Sequence, residues 1–271
     1  MILDIHTHMG VVPGNFTMPP EMQLAAMERY GIDYALISDI RCGESQTRGD
    51  GQTDLQVRIN AEAAAFVRRH RSRLGLLLWC RPNAERGYTE EFEQLFLREK
   101  DIVKGLKIHP DISGLPFDDE KVVPYLEMAG RYGLPVLVHT QETAFSSCRR
   151  VAKVADRFPD VKIIMGHLSL SGDKQYPFEL LRAYENLYGD TAWVRFDDVE
   201  RACALGLENK LLFGTDSPIA GADTYADPVY YVPYFARTAD GGAGLERILY
   251  RNAVQLFGIE ITHKNTEEET A

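Results

Sequence analysis

The sequence predicts an α/β fold, a closed (β/α)8 barrel of the TIM type, and three observations predict it. Short apolar, β-rich runs alternate with longer amphipathic stretches, the pattern of βα units around a parallel sheet. Eight such units can be placed, and 271 residues is a length that suits eight of them. The rival, an open doubly wound sheet, requires a Gly-rich phosphate turn after the first strand, and "HTHMGVVPG" lacks the GxGxxG spacing.

The strand runs, in order, are "ILDIH" (2–6), "DYALIS" (33–38), "RLGLLLWC" (73–80), "VKGLKIH" (103–109), "PVLVH" (135–139), "VKIIMGH" (161–167), "NLYGDT" (186–191) and "KLLFGTD" (210–216). Helices are expected near 20–30, 54–70, 89–99, 119–132, 147–157, 173–185, 197–205 and 245–257. Residues 1–260 read as a single barrel domain, with no internal linker. The polar end "THKNTEEETA" makes 261–271 a frayed tail. Two connections, "DIRCGESQTRGDGQT" and "SPIAGADTYADPVYYVPYFARTADGGAG", exceed simple turns. Both follow strands, on the face where barrel sites are built, and are candidates for a substrate lid.

Composition narrows the function. With 45 % hydrophobic residues the chain can bury a large core. The net charge is −10, and no run of Lys and Arg interrupts the acidic balance, which argues against nucleic acid or anionic lipid as a partner. A small-molecule substrate is expected, and a homo-oligomer is left open. The first strand begins at Met1 with no apolar leader, and no stretch approaches a membrane span, so a cytoplasmic protein is expected. Cys42, Cys80, Cys148 and Cys203 lie far apart without a CxxC, which points to reduced thiols.

The polar residues that bear chemistry fall at strand ends. His6 and His8, at i and i+2, project from one face of strand one. An HxH pair alone is a weak signal. His139 ends strand five, His167 strand six and Asp216 strand eight, and of the seven histidines only His70 and His263 fall outside such ends. Four imidazoles and a carboxylate crowded on one barrel axis are best satisfied by a divalent cation.

Strand four adds Lys107 and His109 on one face. A lysine on the inner wall is costly unless paired. It either turns outward to solvent or serves the cation site, as an ammonium that orients substrate or as a carboxylated ligand. Arg41 and Arg81 follow strands two and three, and their forks suit a substrate carboxylate, as His109 suits a substrate oxygen. Tyr225, Tyr230, Tyr231 and Tyr234 offer an aromatic wall, or simple loop packing. Trp79 and Trp193 read as core, and Thr140, Glu142, Ser169 and Ser171 as supports for the imidazoles.

These motifs together resemble the amidohydrolase superfamily, in the branch related to aminocarboxymuconate semialdehyde decarboxylase. "DIHTH", "GLKIHP", "YGLPVLVHT", "FPDVKIIMGH", "NLYGDT", "LLFGTDSP" and "RNAVQLFGI" match that branch in order over nearly the whole chain. The resemblance implies His6, His8 and His139 as metal ligands and Asp216 as a ligand or near-ligand. In mononuclear relatives, His167 would handle the proton of the bound water. In binuclear relatives a carboxylated lysine, here Lys107, bridges two ions, and His139 and His167 hold the second.

The chemistry can also be argued from the residues. A Zn²⁺ held by neutral imidazoles and a carboxylate lowers the pKa of a bound water to about 7. Asp216, with His167, would take the water's proton and pass it to the leaving group. Zinc is the first choice for a nitrogen-rich set, with Mn²⁺ or Fe²⁺ next. The expected function is hydrolysis of an amide, ester or lactone in a small carboxylated molecule. Non-oxidative decarboxylation of an aromatic or enol acid is the alternative. A TatD-type phosphodiesterase ranks low, since those enzymes usually place a glutamate where Lys107 stands and the acidic balance disfavours a polyanion. A non-catalytic metal-binding barrel ranks low as well.

Overall fold

The computed structural model describes residues 1–43, 55–84, 86–226 and 243–260. Most of each expected lid, Tyr230, Tyr231, Tyr234 and the tail 261–271 lie outside the described residues.

One sheet of nine strands runs in the order β2-β1-β3-β4-β5-β6-β7-β8-β9. The strands are β1 (Leu3–Val12), β2 (Phe16–Met18), β3 (Tyr34–Asp39), β4 (Leu74–Trp79), β5 (Val103–Ile108), β6 (Val136–His139), β7 (Ile163–Gly166), β8 (Leu187–Asp190) and β9 (Leu211–Leu212). The eight expected runs are β1 and β3 to β9, all paired in parallel. Backbone bonds from Ile5 N to Phe213 O (2.9 Å), Asp216 N to His6 O (2.8 Å) and His8 N to Ser217 O (2.8 Å) close the barrel.

Around it lie α1 (Pro20–Tyr30), α2 (Leu55–Arg69), α3 (Glu90–Glu99), the single turn α4 (Pro110–Ser113), α5 (Val123–Tyr132), α6 (Cys148–Arg157), α7 (Gln175–Ala183) and α8 (Phe196–Ala204). A closing helix over 243–257 contains a π-helical turn, Arg247–Arg251. None of the described helices is long and apolar enough to cross a membrane.

The two-residue period of a strand sorts the faces. Ile37, Leu76, Leu78, Leu106, Val136 and Met165 face outward and pack in the large core beneath the helices. Leu36, Leu77, Leu137, Ile164 and Leu212 face inward and meet Leu3, Ile5 and Phe257 to form an apolar floor. Two residues beyond each floor position the same face carries Ser38, Trp79, His139, Gly166 and Gly214. Lys107 and Asp190 take the equivalent places on β5 and β8. An apolar layer therefore lies directly below a ring of polar and small residues, at the C-terminal end of the barrel.

Strand β1 departs from the expected 2–6. It continues to Val12 because β2 pairs with its far end in antiparallel register, Gly10 opposite Met18 and Val12 opposite Phe16. Its register with β3 also shifts between Asp4 and Thr7. Without that bulge, a strand with Leu3 and Ile5 on the floor would turn His6 and His8 outward. The Asp4 carboxylate fills the bulge, accepting from His6 N (3.0 Å), Thr215 N (3.2 Å) and the Thr215 hydroxyl (2.5 Å). Strand β9 is shorter than expected, because the chain beyond Leu212 bonds β1 irregularly.

Candidate metal centre

Three imidazoles are fixed by the nitrogen that faces away from the axis. His6 Nδ1 lies 2.7 Å from Asp190 Oδ2. His8 Nδ1 lies 2.9 Å from Ser38 Oγ, whose own proton goes to the Thr7 carbonyl. His167 Nδ1 lies 3.0 Å from the Ala192 carbonyl. Each partner accepts, so each Nδ1 carries the proton and each Nε2 keeps its lone pair.

The His6 and His8 lone pairs turn toward Asp216. Its Oδ1 lies 2.8 Å from His8 Nε2 and 3.4 Å from His6 Nε2, while Oδ2 accepts from Trp193 Nε1 at 2.9 Å. Burial alone would raise the Asp216 carboxyl, but positive charge where it meets His6 and His8, a ring proton or a cation in its place, outweighs burial and holds the group well below the usual carboxylate range. Burial, reinforced by the Lys107 charge, keeps His6 well below the ordinary imidazole value, and burial lowers His167 to about 4.

The backbone is bent to aim these side chains. His167, Leu168, Ser169, Trp193 and Asp216 all have positive φ, from 47 to 69°. Left-handed backbone costs a non-glycine residue on the order of 1 kcal/mol, and it concentrates here where the strands stop and the rings must turn to the axis. Two glycines make the room. A Cβ on Gly214 would stand 3.0 Å from His6 Cβ and 3.2 Å from Asp190 Cβ, and one on Gly166 would stand 3.0 Å from the Val138 carbonyl.

Lys107 turns inward. It is 1 % exposed, with Nζ 2.6 Å from His6 Nε2, and burial lowers its ammonium from 10.5 to about 8. His139 stands beside His167, its Nδ1 3.0 Å from His167 Nε2, while its Nε2 faces Gln141 at 3.4 Å and Asp111 at 3.9 Å. His109 stacks on His139 with ring centroids 3.8 Å apart. Its Nδ1 accepts the Ile112 N–H at 3.3 Å, so the ring proton is on Nε2, which has no hydrogen-bond partner among the described residues.

The two arginines differ. Arg41 is held by Asp39 at 2.6 Å and Glu62 at 3.0 Å. Arg81 is buried and makes no side-chain ion pair or hydrogen bond among the described residues. Tyr225 is fully buried, its hydroxyl taken by Gln23 at 2.7 Å, so it packs rather than lining a pocket. Thr140, Ser169 and Glu142 brace one another instead of the rings, through Ser169 N to Thr140 Oγ1 (2.9 Å) and Ser169 Oγ to Glu142 (2.8 Å). Ser171 is exposed.

Sequence reasoning missed three site residues. Asp190 ends β8 in "NLYGDT", and the rule that singled out the other strand ends applies to it equally. Trp193 was expected in the core, yet its indole N–H holds Asp216. Ser38 gave no signal beyond sharing the face of Leu36.

The donor set fits a divalent cation. A bare imidazole nitrogen and a bare carboxylate oxygen 2.8 Å apart, as in His8 and Asp216, repel unless a proton or a cation stands between them. His6, His8 and Asp216 can converge on one ion, and the oxygens of Asp190 are already engaged by the His6 ring, His167 N (2.8 Å) and Ala192 N (3.1 Å).

Comparison with solved structures supports the fold. 5-Carboxyvanillate decarboxylase from Sphingomonas paucimobilis superposes with a TM-score of 0.72 at 16 % identity, over 96 % of this chain and 99 % of that one. 2,6-Dihydroxybenzoate decarboxylase from Rhizobium gives 0.67 at 15 %, covering 95 % and 98 %. A probable 2-pyrone-4,6-dicarboxylic acid hydrolase from Acinetobacter baumannii gives 0.65 at 12 %, covering 95 % and 99 %. Comparison with curated proteins finds no match. The sequence model of one family, described as amidohydrolase, matches residues 3–259. Because that match runs from the first strand to the end of the closing helix, through every residue of the site, the chain belongs to the amidohydrolase family and is an enzyme.

Proposed function

We propose that the protein is a metal-dependent hydrolase acting on an amide, ester or lactone bond of a small carboxylated molecule. The observation that carries this reading is the convergence of His6 and His8 Nε2 on Asp216 Oδ1, at 3.4 and 2.8 Å. His6, His8 and Asp216 would hold the ion, with His139 and His167 beside it. Zinc suits this nitrogen-rich set best, with Mn²⁺ or Fe²⁺ next. When bound, such an ion polarises a carbonyl oxygen and makes water more acidic.

The chain's own groups then move the protons. Asp216 is ionised; its Oδ1 faces His6 and His8, and its Oδ2, oriented by Trp193 Nε1, would take a proton from the attacking water and hand it to the leaving group. His167 stays neutral near pH 7 and is anchored through Nδ1, so its Nε2 is the second place where that proton can rest. Lys107 Nζ stands 2.6 Å from His6 Nε2, the atom an ion would take. In the one-ion reading the Lys107 ammonium would stabilise negative charge on a substrate oxygen. In a two-ion reading, Lys107 would carry a carboxylate and bridge the ions, with His139 and His167 on the second. The four free cysteines support the cytoplasmic setting.

A second reading is non-oxidative decarboxylation of an aromatic or enol acid, favoured by the two decarboxylases whose barrels superpose on this chain. A panel of lactones, esters and amides, assayed for ring opening or released alcohol and amine, against aromatic and enol acids assayed for CO₂, separates the two. Turnover of the first group without CO₂ from the second supports hydrolysis, and the reverse result refutes it.

A further inference from the structure

Lys174 is a buried ammonium that takes no part in the proton transfers at the centre. It is 6 % exposed, and burial pushes its pKa below the ordinary lysine value. It also stands at the N-cap of α7, where Ser, Thr, Asp or Asn is the common choice and a positive charge opposes the helix dipole. Two costs at one residue call for a compensating contact. Its hydrogen-bond acceptors are two main-chain carbonyls, of His167 at 3.2 Å and of Ser169 at 2.5 Å.

Those carbonyls bracket the most strained backbone in the site. His167, Leu168 and Ser169 are three consecutive residues with φ of 67, 47 and 69°, and no glycine stands among them. Left-handed backbone costs each on the order of 1 kcal/mol, so the turn persists only where its surroundings hold it. On the barrel side, Asp190 Oδ1 accepts from His167 N at 2.8 Å, while Thr140 accepts from Ser169 N and Leu170 N, both at 2.9 Å. On the α7 side, Lys174 is the donor to the His167 carbonyl among the described residues. Both main-chain polar groups of His167 are therefore tied, and its ring is set where Nδ1 meets the Ala192 carbonyl at 3.0 Å.

We propose that Lys174 is a positioning residue, whose ammonium, drawn between the carbonyls of His167 and Ser169, locks the left-handed turn that aims His167 Nε2 at the reacting centre. This rests on the metal-dependent hydrolase reading, in which His167 Nε2 receives a proton, and it names the group that fixes that atom from outside the centre. Lys174 acts through the main chain alone, since both of its acceptors are carbonyls. Its loss moves one ring and leaves His6, His8 and Asp216 in place. Turnover then falls while substrate binding and metal content are kept.

The ring N–H protons of His167 and His8, assigned by their loss in His167→Gln and His8→Gln, are followed by proton–nitrogen NMR of the metal-free protein. His8 Nδ1, held by Ser38 at 2.9 Å, is the internal control. In Lys174→Met, which has no donor, the His167 signal should shift and exchange with solvent about tenfold or more faster, while the His8 signal stays. On the substrate that wild type turns over, kcat should fall roughly 10- to 100-fold, the scale of a small misplacement of a reacting group, with KM and zinc content kept. Lys174→Arg, which retains donors for the carbonyls, should recover most of both. Lys174→Gln, a neutral donor, serves where Lys174→Met fails to fold and should move the His167 signal less. An unmoved His167 signal, or equal movement of the His167 and His8 signals, overturns the assignment. Failure of the hydrolase reading is distinguishable, since it appears as absent zinc or absent turnover in wild type, and the ring signals are read without either.

Discussion

His6 Nδ1 lies 2.7 Å from Asp190 Oδ2, and both side chains are buried to within 1 %. This contact joins β1 to β8 across the top of the barrel and fixes which imidazole nitrogen faces Asp216. In Asp190→Asn the amide can present an N–H to His6 in place of an acceptor, which shifts the ring proton to Nε2 and blocks the lone pair. Metal affinity should fall by about 10- to 100-fold, the usual scale for losing a ligand's orienting partner. A competition titration against a chelator reads it, and an affinity within threefold of wild type would contradict the orienting role.

Lys107 gives a pH signature in the metal-free protein. Its ammonium is lowered from 10.5 to about 8, so between those values the unfolded chain binds a proton that the folded chain has lost. Stability should therefore rise as pH increases from about 8 to about 10.5, and the full penalty, on the order of 3 kcal/mol, is present below that window. Lys107→Met should be the more stable protein at pH 7, and its advantage should shrink toward pH 10.5. Urea denaturation at a series of pH values gives the difference curve. A constant difference would mean that the lysine titrates normally.

Trp193→Phe removes the N–H that holds Asp216 Oδ2 and keeps most of the ring. The Asp216 carboxyl should become less acidic, so the acid limb of the pH–rate profile moves to higher pH. Turnover should drop about tenfold, the scale of one hydrogen bond to a charged group, with metal content unchanged. An unshifted acid limb would leave Trp193 a packing residue.

Gly214→Ala tests the crowding of the centre. The added Cβ would stand 3.0 Å from His6 Cβ and 3.2 Å from Asp190 Cβ, atoms that cannot swing away as the end of a long side chain can. The variant should lose about 1–3 kcal/mol of stability, the range for overpacking, together with most of its metal affinity. Thermal melts with and without zinc read both effects. A wild-type melt and wild-type metal content would show that His6 and Asp190 have room to retreat.

The barrel was legible because its two periodicities are local. Apolar-rich runs of five to eight residues and amphipathic stretches between them set the order β1, β3 to β9 and nearly all the helix positions. The strand-end rule also brought His6, His8, His139, His167 and Asp216 to one end of the axis. Three features were not legible because they depend on tertiary contacts. The Asp4 bulge that turns His6 and His8 inward needs Thr215, which is 211 residues away. The role of Asp190 depends on which ring it meets, and Trp193 reaches Asp216 only because its backbone takes a left-handed turn. Arg41 and Arg81 look alike in sequence, and only the partners Asp39 and Glu62 separate them.

Zinc content per chain in wild type, His6→Ala and Asp216→Ala, measured by elemental analysis on reconstituted protein with circular dichroism as the check on folding, tests the centre most directly. Wild type should hold a stoichiometric ion, and each variant should lose the ion and its turnover while the barrel stays folded. Full metal and full rate in either variant would contradict the assignment of His6, His8 and Asp216 to one cation.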